Sequence, residues 1–126
     1  MGKLSRTKGA AYERELAKLI ADAMPGAHVR RGLQAQGAAS AKIADVECPE
    51  FWVEAKRGKK PNMRAALRQA EADTDGRWPV AVVRDDRDRA TVTMRLDDWL
   101  VLVAEWWRDR EEVEYRLPLD NRGDCP

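Results

Sequence analysis

The run Phe51-Trp52-Val53-Glu54-Ala55-Lys56 constrains the fold of this chain more than any other segment. Its residues are mostly strong strand formers. Side chains alternate along a strand, so Glu54 and Lys56 point one way and Val53 and Ala55 the other. A carboxylate and an amine on one face, set among strand-forming neighbours, predict a strand whose polar face meets a metal or a substrate. The preceding apolar run ends Ile43-Ala44-Asp45-Val46. Between the two, Cys48-Pro49-Glu50-Phe51 reads as a tight turn with Pro49 at its first central position. Pairing across a two-residue loop sets Asp45 opposite Glu54. Like charges facing one another on a sheet repel, and a bound cation removes that objection. Two acids and a lysine at one point suit phosphodiester hydrolysis. The acids hold a hard divalent cation, and the amine handles the attacking water or the developing negative charge.

Charge is distributed to match. The chain has 126 residues, 36% of them charged, with a net charge of +1. Residues 1–68 carry +7 and residues 69–126 carry −6. Lys56, Arg57, Lys59, Lys60, Arg64 and Arg68 follow one another with no acid between them. A basic half beside an acidic half suits an anionic polymer bound through one face. The plainer reading is solvated surface charge. His28 with the two cysteines, Cys48 and Cys125, does not make a zinc site, which wants four ligands in paired spacing. Two such cysteines are no disulfide framework either. No apolar run approaches the roughly 20 residues that span a bilayer, and Met1-Gly2-Lys3-Leu4-Ser5 lacks the apolar core of a signal peptide. The expectation is a soluble, intracellular protein.

Ser5 or Thr7 is placed to cap a helix reaching about Met24, stopped by Pro25-Gly26. On that helix Glu13 borders the apolar stripe, whereas Glu15 lies on a solvated row. A surface ion pair is the plain alternative for either. Ala27 to Leu33 reads as a first strand, and residues 34–42 as a loop. Asn62 is placed to cap a second helix, with Met63, Ala66, Leu67 and Ala70 on its apolar face and Gly76 beyond its end. Residues 79–83 and 90–94 read as a hairpin. Asp97 is placed to cap a last helix carrying Trp99, Leu102, Val103 and Trp106 on one face and Leu100, Val101, Ala104 and Trp107 on another. Such a helix is buried on two sides or packs against a second subunit. Residues 113–119 read as one more strand and 120–126 as a frayed tail.

In order, the elements are a helix with Glu13, a strand, a strand with Asp45, a strand with Glu54-x-Lys56, a helix and two strands. This order resembles the PD-(D/E)xK nuclease superfamily and, within it, the archaeal-type Holliday junction resolvases and their phage relatives. Arg6-Thr-Lys-Gly-Ala-Ala-Tyr-Glu-Arg-Glu-Leu16 is similar to the family's opening helix. Asp45 matches the motif aspartate, Glu54-Ala55-Lys56 the Glu-x-Lys, and Arg68-Gln69-Ala70-Glu71 the helix that follows. The likeness covers residues 5–84. The proline that names the motif is Ala44 here, and the loop before Asp45 is rich in Ala and Gln rather than basic.

The resemblance implies an α/β fold: a single restriction-endonuclease-like domain over residues 1–108, with a central mixed sheet flanked by helices and a charged extension over 109–126. It implies an Mg²⁺-dependent endonuclease that hydrolyses branched DNA in recombination and repair, with Mn²⁺ able to substitute. Asp45, Glu54 and the Ala55 carbonyl would hold the metal, Glu13 a second ion or one of its waters, and Lys56 would orient and help deprotonate the attacking water. Lys3, Lys8, Arg14, Arg30, Arg31, Ser40, Arg57, Lys59, Lys60 and Gln69 would contact DNA. Paired cuts imply a homodimer, with no membrane association, in the cytoplasm of a prokaryotic or phage-infected cell. Two other readings stay open. One is a nuclease of the same fold with another DNA target, such as a nickase, an exonuclease or a restriction-like enzyme. The other is a non-enzymatic DNA-binding protein.

Overall fold

The alternating run forms β3 (Phe51–Gly58) of a five-stranded sheet in a computed structural model describing residues 2–33 and 42–116, with side chains over 9–33 and 42–111. The other strands are β1 (Arg30–Arg31), β2 (Val46–Glu47), β4 (Trp78–Asp85) and β5 (Thr91–Thr93). The helices are α1 (Gly2–Ala23), α2 (Met63–Asp73) and α3 (Leu96–Arg116). The strands lie in chain order, and all neighbours are antiparallel except β3 and β4. A parallel pair needs a crossover, and α2 supplies it. The fold is α/β with a mixed sheet, as the sequence predicts.

Alternation divides β3 between two cores. Val53 and Ala55 join Tyr12, Leu16 and Ala17 of α1, together with Val46, Val80 and Val82. On the other face Ala81 and Val83 pack with Ala66 and Leu67 of α2, while Trp52 packs with Ala44 and Ala70. The two helices therefore cover opposite faces, and Glu54 shares the α2 face with Trp52. Each large apolar side chain buried this way contributes about 1.5–3 kcal/mol. Asn62 caps α2 as expected, its Oδ1 accepting the Ala65 N–H at 3.0 Å, and Gly76, at φ 111°, follows the helix end.

The β2–β3 hairpin has the expected register: Val46 faces Val53 and Glu47 faces Trp52. At its turn the Phe51 N–H donates to the Pro49 carbonyl at 2.9 Å, with Glu50 between them at φ 71°. This is a γ-turn of the rarer, strained hand. The Trp78 N–H donates to the Glu50 carbonyl at 2.8 Å, which ties the turn to the start of β4. Arg77 reinforces that tie. Its Nη1 donates to Glu47 at 3.0 Å and to the Cys48 carbonyl at 3.1 Å, and its guanidinium lies 5.0 Å from the centre of the Trp52 ring.

Several boundaries differ from expectation. α1 begins at Gly2, ahead of Ser5 and Thr7. β1 spans only two residues and leaves the ladder at Gly32, whose backbone closes on the Ala44 carbonyl. α3 begins at Leu96, one residue before Asp97, whose Oδ1 instead accepts the Asp98 N–H within the first turn. It then runs through residue 108 to Arg116, so the strand expected over 113–119 is helical as far as the structure describes it. Glu111, Glu112, Glu114 and Arg116 are good helix formers, and extending a helix costs less than starting an unpartnered strand. The tail at 120–126 and most of the loop at 34–42 lie outside the described residues.

The chain forms two compact units, one ending at Met94 and one beginning at Arg95. The second holds α3, on which Trp106 and Trp107 are 56% and 55% exposed and Trp99 and Leu100 nearly as open. Among the described residues no helix is long and apolar enough to cross a membrane.

Candidate active site

The site begins at an irregularity in the sheet. The Asp45 N–H donates to the Val53 carbonyl at 3.0 Å, although Val53 is also the register partner of Val46. Two consecutive residues opposing one is the count of a β-bulge, a device that re-aims a side chain. Here it turns the Asp45 carboxylate along the edge of β3, where Oδ2 accepts the Ala55 N–H at 2.8 Å. The N–H and C=O of a strand residue point to the same edge. The Ala55 carbonyl therefore lies on the Asp45 side, away from β4.

Glu54 follows from the same geometry. It is 8% exposed, the one charged side chain in the buried class among the described residues. Its carboxyl is hydrogen-bonded to that of Asp45, and its pKa is pushed up to about 8. Burial is the main cause; the Asp45 charge and the shared hydrogen bond add to it, Lys56 opposes it, and Asp73 adds further. Burial beside a second carboxyl group keeps Glu54 protonated at neutral pH.

α1 delivers the third acid. Glu13 is half-buried and takes a hydrogen bond from Arg31 Nε at 3.2 Å. Burial raises its pKa first and Asp45 second, against the lowering influence of Arg31 and Lys56. Glu13 and Asp45 line one cleft of about 450 Å³ together with Arg31 and Gly32. Glu15 is exposed and points to Arg84, 3.8 Å away. The expected rotation of α1 is therefore the one found.

Lys56, two residues beyond Glu54, is exposed. It lines a second cleft of about 500 Å³ with Lys59, Lys60, Asn62 and Gln69. Arg57, one step along, turns to the other face and pairs with Asp86 at 3.6 Å, its guanidinium 5.9 Å from the Tyr12 ring centre. Arg14 and Arg30 are exposed, whereas Arg31 is engaged by Glu13. Ser40 and the side chains of Lys3 and Lys8 lie outside the described residues. Two residues that no sequence pattern marks also belong here. Asp73, at the end of α2, accepts from Lys42 Nζ at 2.9 Å and from Gln69 Nε2 at 2.6 Å.

Among the described residues no group of three or more His, Cys, Asp or Glu forms a ready-made metal cluster. The donors available here are the carboxyl groups of Asp45 and Glu54 and, on the Asp45 side of β3, the Ala55 carbonyl, all oxygen. That set fits Mg²⁺, which retains waters and commonly uses only one or two carboxylates. No protein-family model, curated protein or solved structure matches this chain.

Proposed function

We propose that this chain is a restriction-endonuclease-like, Mg²⁺-dependent endonuclease that hydrolyses phosphodiester bonds in branched DNA, with four-way junctions as its preferred substrate. The observation that carries the reading is the Asp45–Glu54 carboxyl pair, with Glu54 buried and Glu13 and Lys56 close enough to act on it. A binding module has little reason to force two acids together and set beside them a lysine that lines a basic cleft.

In this reading Asp45 and Glu54 hold the cation, with the Ala55 carbonyl as a third ligand. The bound cation supplies charge neutralisation at the scissile phosphate. Lys56 orients the attacking water and offsets the developing negative charge. Glu13, held by Arg31, adds a second acidic anchor across the cleft. Lys59, Lys60 and Arg30 contact phosphates, which makes recognition a matter of shape rather than base sequence. Junction resolution needs two cuts, so a twofold dimer is part of the reading. The half-exposed tryptophans of α3 are its candidate surface.

The test is direct. Labelled four-way junction, nicked, linear and single-stranded DNA are incubated side by side with the protein and Mg²⁺, and light scattering gives the mass of the same sample. Paired cuts in the junction by a dimer are expected. Asp45→Asn should abolish cutting while leaving binding intact or tighter, since a negative charge beside the phosphate is gone. Glu13→Gln should impair cutting far more than Glu15→Gln. If none of the four DNA forms is cut, the nuclease reading is wrong. If Glu15→Gln is the worse variant, the role given to Glu13 fails.

A further inference from the structure

The last residue of α2 is an acid in a poor position for one. The C-terminal end of a helix carries partial negative charge and favours cations. Asp73 sits there with both carboxylate oxygens engaged: Oδ1 by Lys42 at 2.9 Å and Oδ2 by Gln69 at 2.6 Å. Its side chain is 12% exposed. The hydrogen bond from Gln69 and then that from Lys42 hold its carboxyl below the ordinary aspartate range, so it stays ionised at neutral pH. It is also close enough to Glu54 to strengthen that residue's hold on its proton.

An ionised carboxylate only accepts hydrogen bonds, so the end of the Gln69 amide facing Asp73 must be its NH₂ group. Gln69 lines the same cleft as Lys56. With nitrogen committed to Asp73, Oε1 is the end left to the cleft. A glutamine free to rotate would present donor and acceptor alternately. Anchored, it offers a fixed acceptor beside an ammonium group. The second oxygen of Asp73 holds Lys42, three residues ahead of Asp45, so the same carboxylate also tethers the segment that delivers Asp45 to the site.

We infer that Asp73 is a positioning residue: it fixes the Gln69 amide with its carbonyl oxygen toward the Lys56 cleft, where that oxygen orients a water proton during hydrolysis. The inference rests on the nuclease reading for its last clause only, and its test has two readouts. The first is the Gln69 side-chain NH₂ resonance in the DNA-free, metal-free protein. It should be shifted from the free-amide position, move as Asp73 is protonated in acid, and collapse to the free position in Asp73→Ala but not in Lys42→Ala. The second is a double-mutant cycle on cleavage. Asp73→Ala and Gln69→Ala should each lower kcat on the order of tenfold with KM unchanged, as loss of a supporting shell does. The double variant should lose clearly less than the product of the two single losses, the part beyond Gln69→Ala alone being the Lys42 tether and the charge near Glu54.

A Gln69 amide at the free position in the wild type overturns the inference, as does full additivity in the cycle. If the wild type cuts no DNA, the nuclease reading falls, and the resonance alone decides the anchor: a shifted amide upholds it and a free one overturns it.

Discussion

Glu54→Gln should make the metal-free protein more stable at pH 8 while abolishing its cleavage of DNA. Glu54 holds its proton up to about pH 8 in the folded chain, against an ordinary value of 4.5. Between those values the folded state binds more protons than the unfolded state, so stability falls as pH rises. The contribution is complete below the ordinary value and lost as pH passes the folded one. The slope is at most about 1.4 kcal/mol per pH unit. Glutamine has nearly the shape of the protonated acid, can keep a hydrogen bond to Asp45 and never ionises. Thermal melts should therefore decline from pH 5 to pH 8 in the wild type and run flatter in the variant, with the two meeting at pH 5. Mg²⁺ should raise the wild-type midpoint at pH 8, where the cation takes the place of the proton, and should leave the variant nearly unmoved. A wild-type melt that stays level from pH 5 to pH 8 would remove the carboxyl pair from the account.

Gly32→Ala should be the most damaging change of a glycine. A Cβ built on Gly32 falls 1.8 Å from the Ala44 carbonyl oxygen and 3.1 Å from Ile43 Cγ2. The nearer obstacle is backbone, so no rotamer change relieves it. The Gly32 N–H donates to the Asp45 carbonyl at 2.9 Å, so a shift in β1 also loosens the segment that aims the Asp45 carboxylate. A loss on the order of 3 kcal/mol is expected, with cleavage falling further than residual stability explains. Gly58→Ala is the control. It meets nothing within 4 Å and should stay within about 0.5 kcal/mol of the wild type. Urea midpoints of the two variants give the comparison, and equal midpoints would show that β1 does not bear on Ala44.

What the sequence reveals of this site is what periodicity carries. The shared face of Glu54 and Lys56 follows from alternation along β3. The approach of Asp45 to Glu54 follows from the turn at Pro49, and the inward face of Glu13 from helical spacing. The rest depends on groups that no period connects. The Asp45 bulge needs the Val53 carbonyl to accept from a residue out of step with the ladder. Lys42 and Asp73 lie thirty-one positions apart and look like ordinary surface charge until α2 is laid across the sheet. The pairing of Arg31 with Glu13 is likewise tertiary, so a cation that composition assigns to phosphate is engaged by an acid. The length of α3 past residue 112 was hidden for another reason. Val113 and Tyr115 alternate with charged residues as a strand would, and the cheapness of extending a helix overrides that pattern.

The strand order, which follows the chain without a swap, has a consequence for the timing of folding. A hairpin with a two-residue turn closes on the order of microseconds. The parallel pairing of β3 with β4 must wait for α2 to form and swing across, because contacts distant in sequence come late. Asp45 and Glu54 therefore meet near the start of the folding route, but the burial that chiefly raises the Glu54 pKa is complete only once α2 covers its face of the sheet. Raising the pH through the titration of Glu54 should then hasten unfolding more than it slows refolding, a split that stopped-flow traces of the two limbs would read. Whatever neutralises the pair, a proton included, would then act mainly by slowing the loss of the folded state.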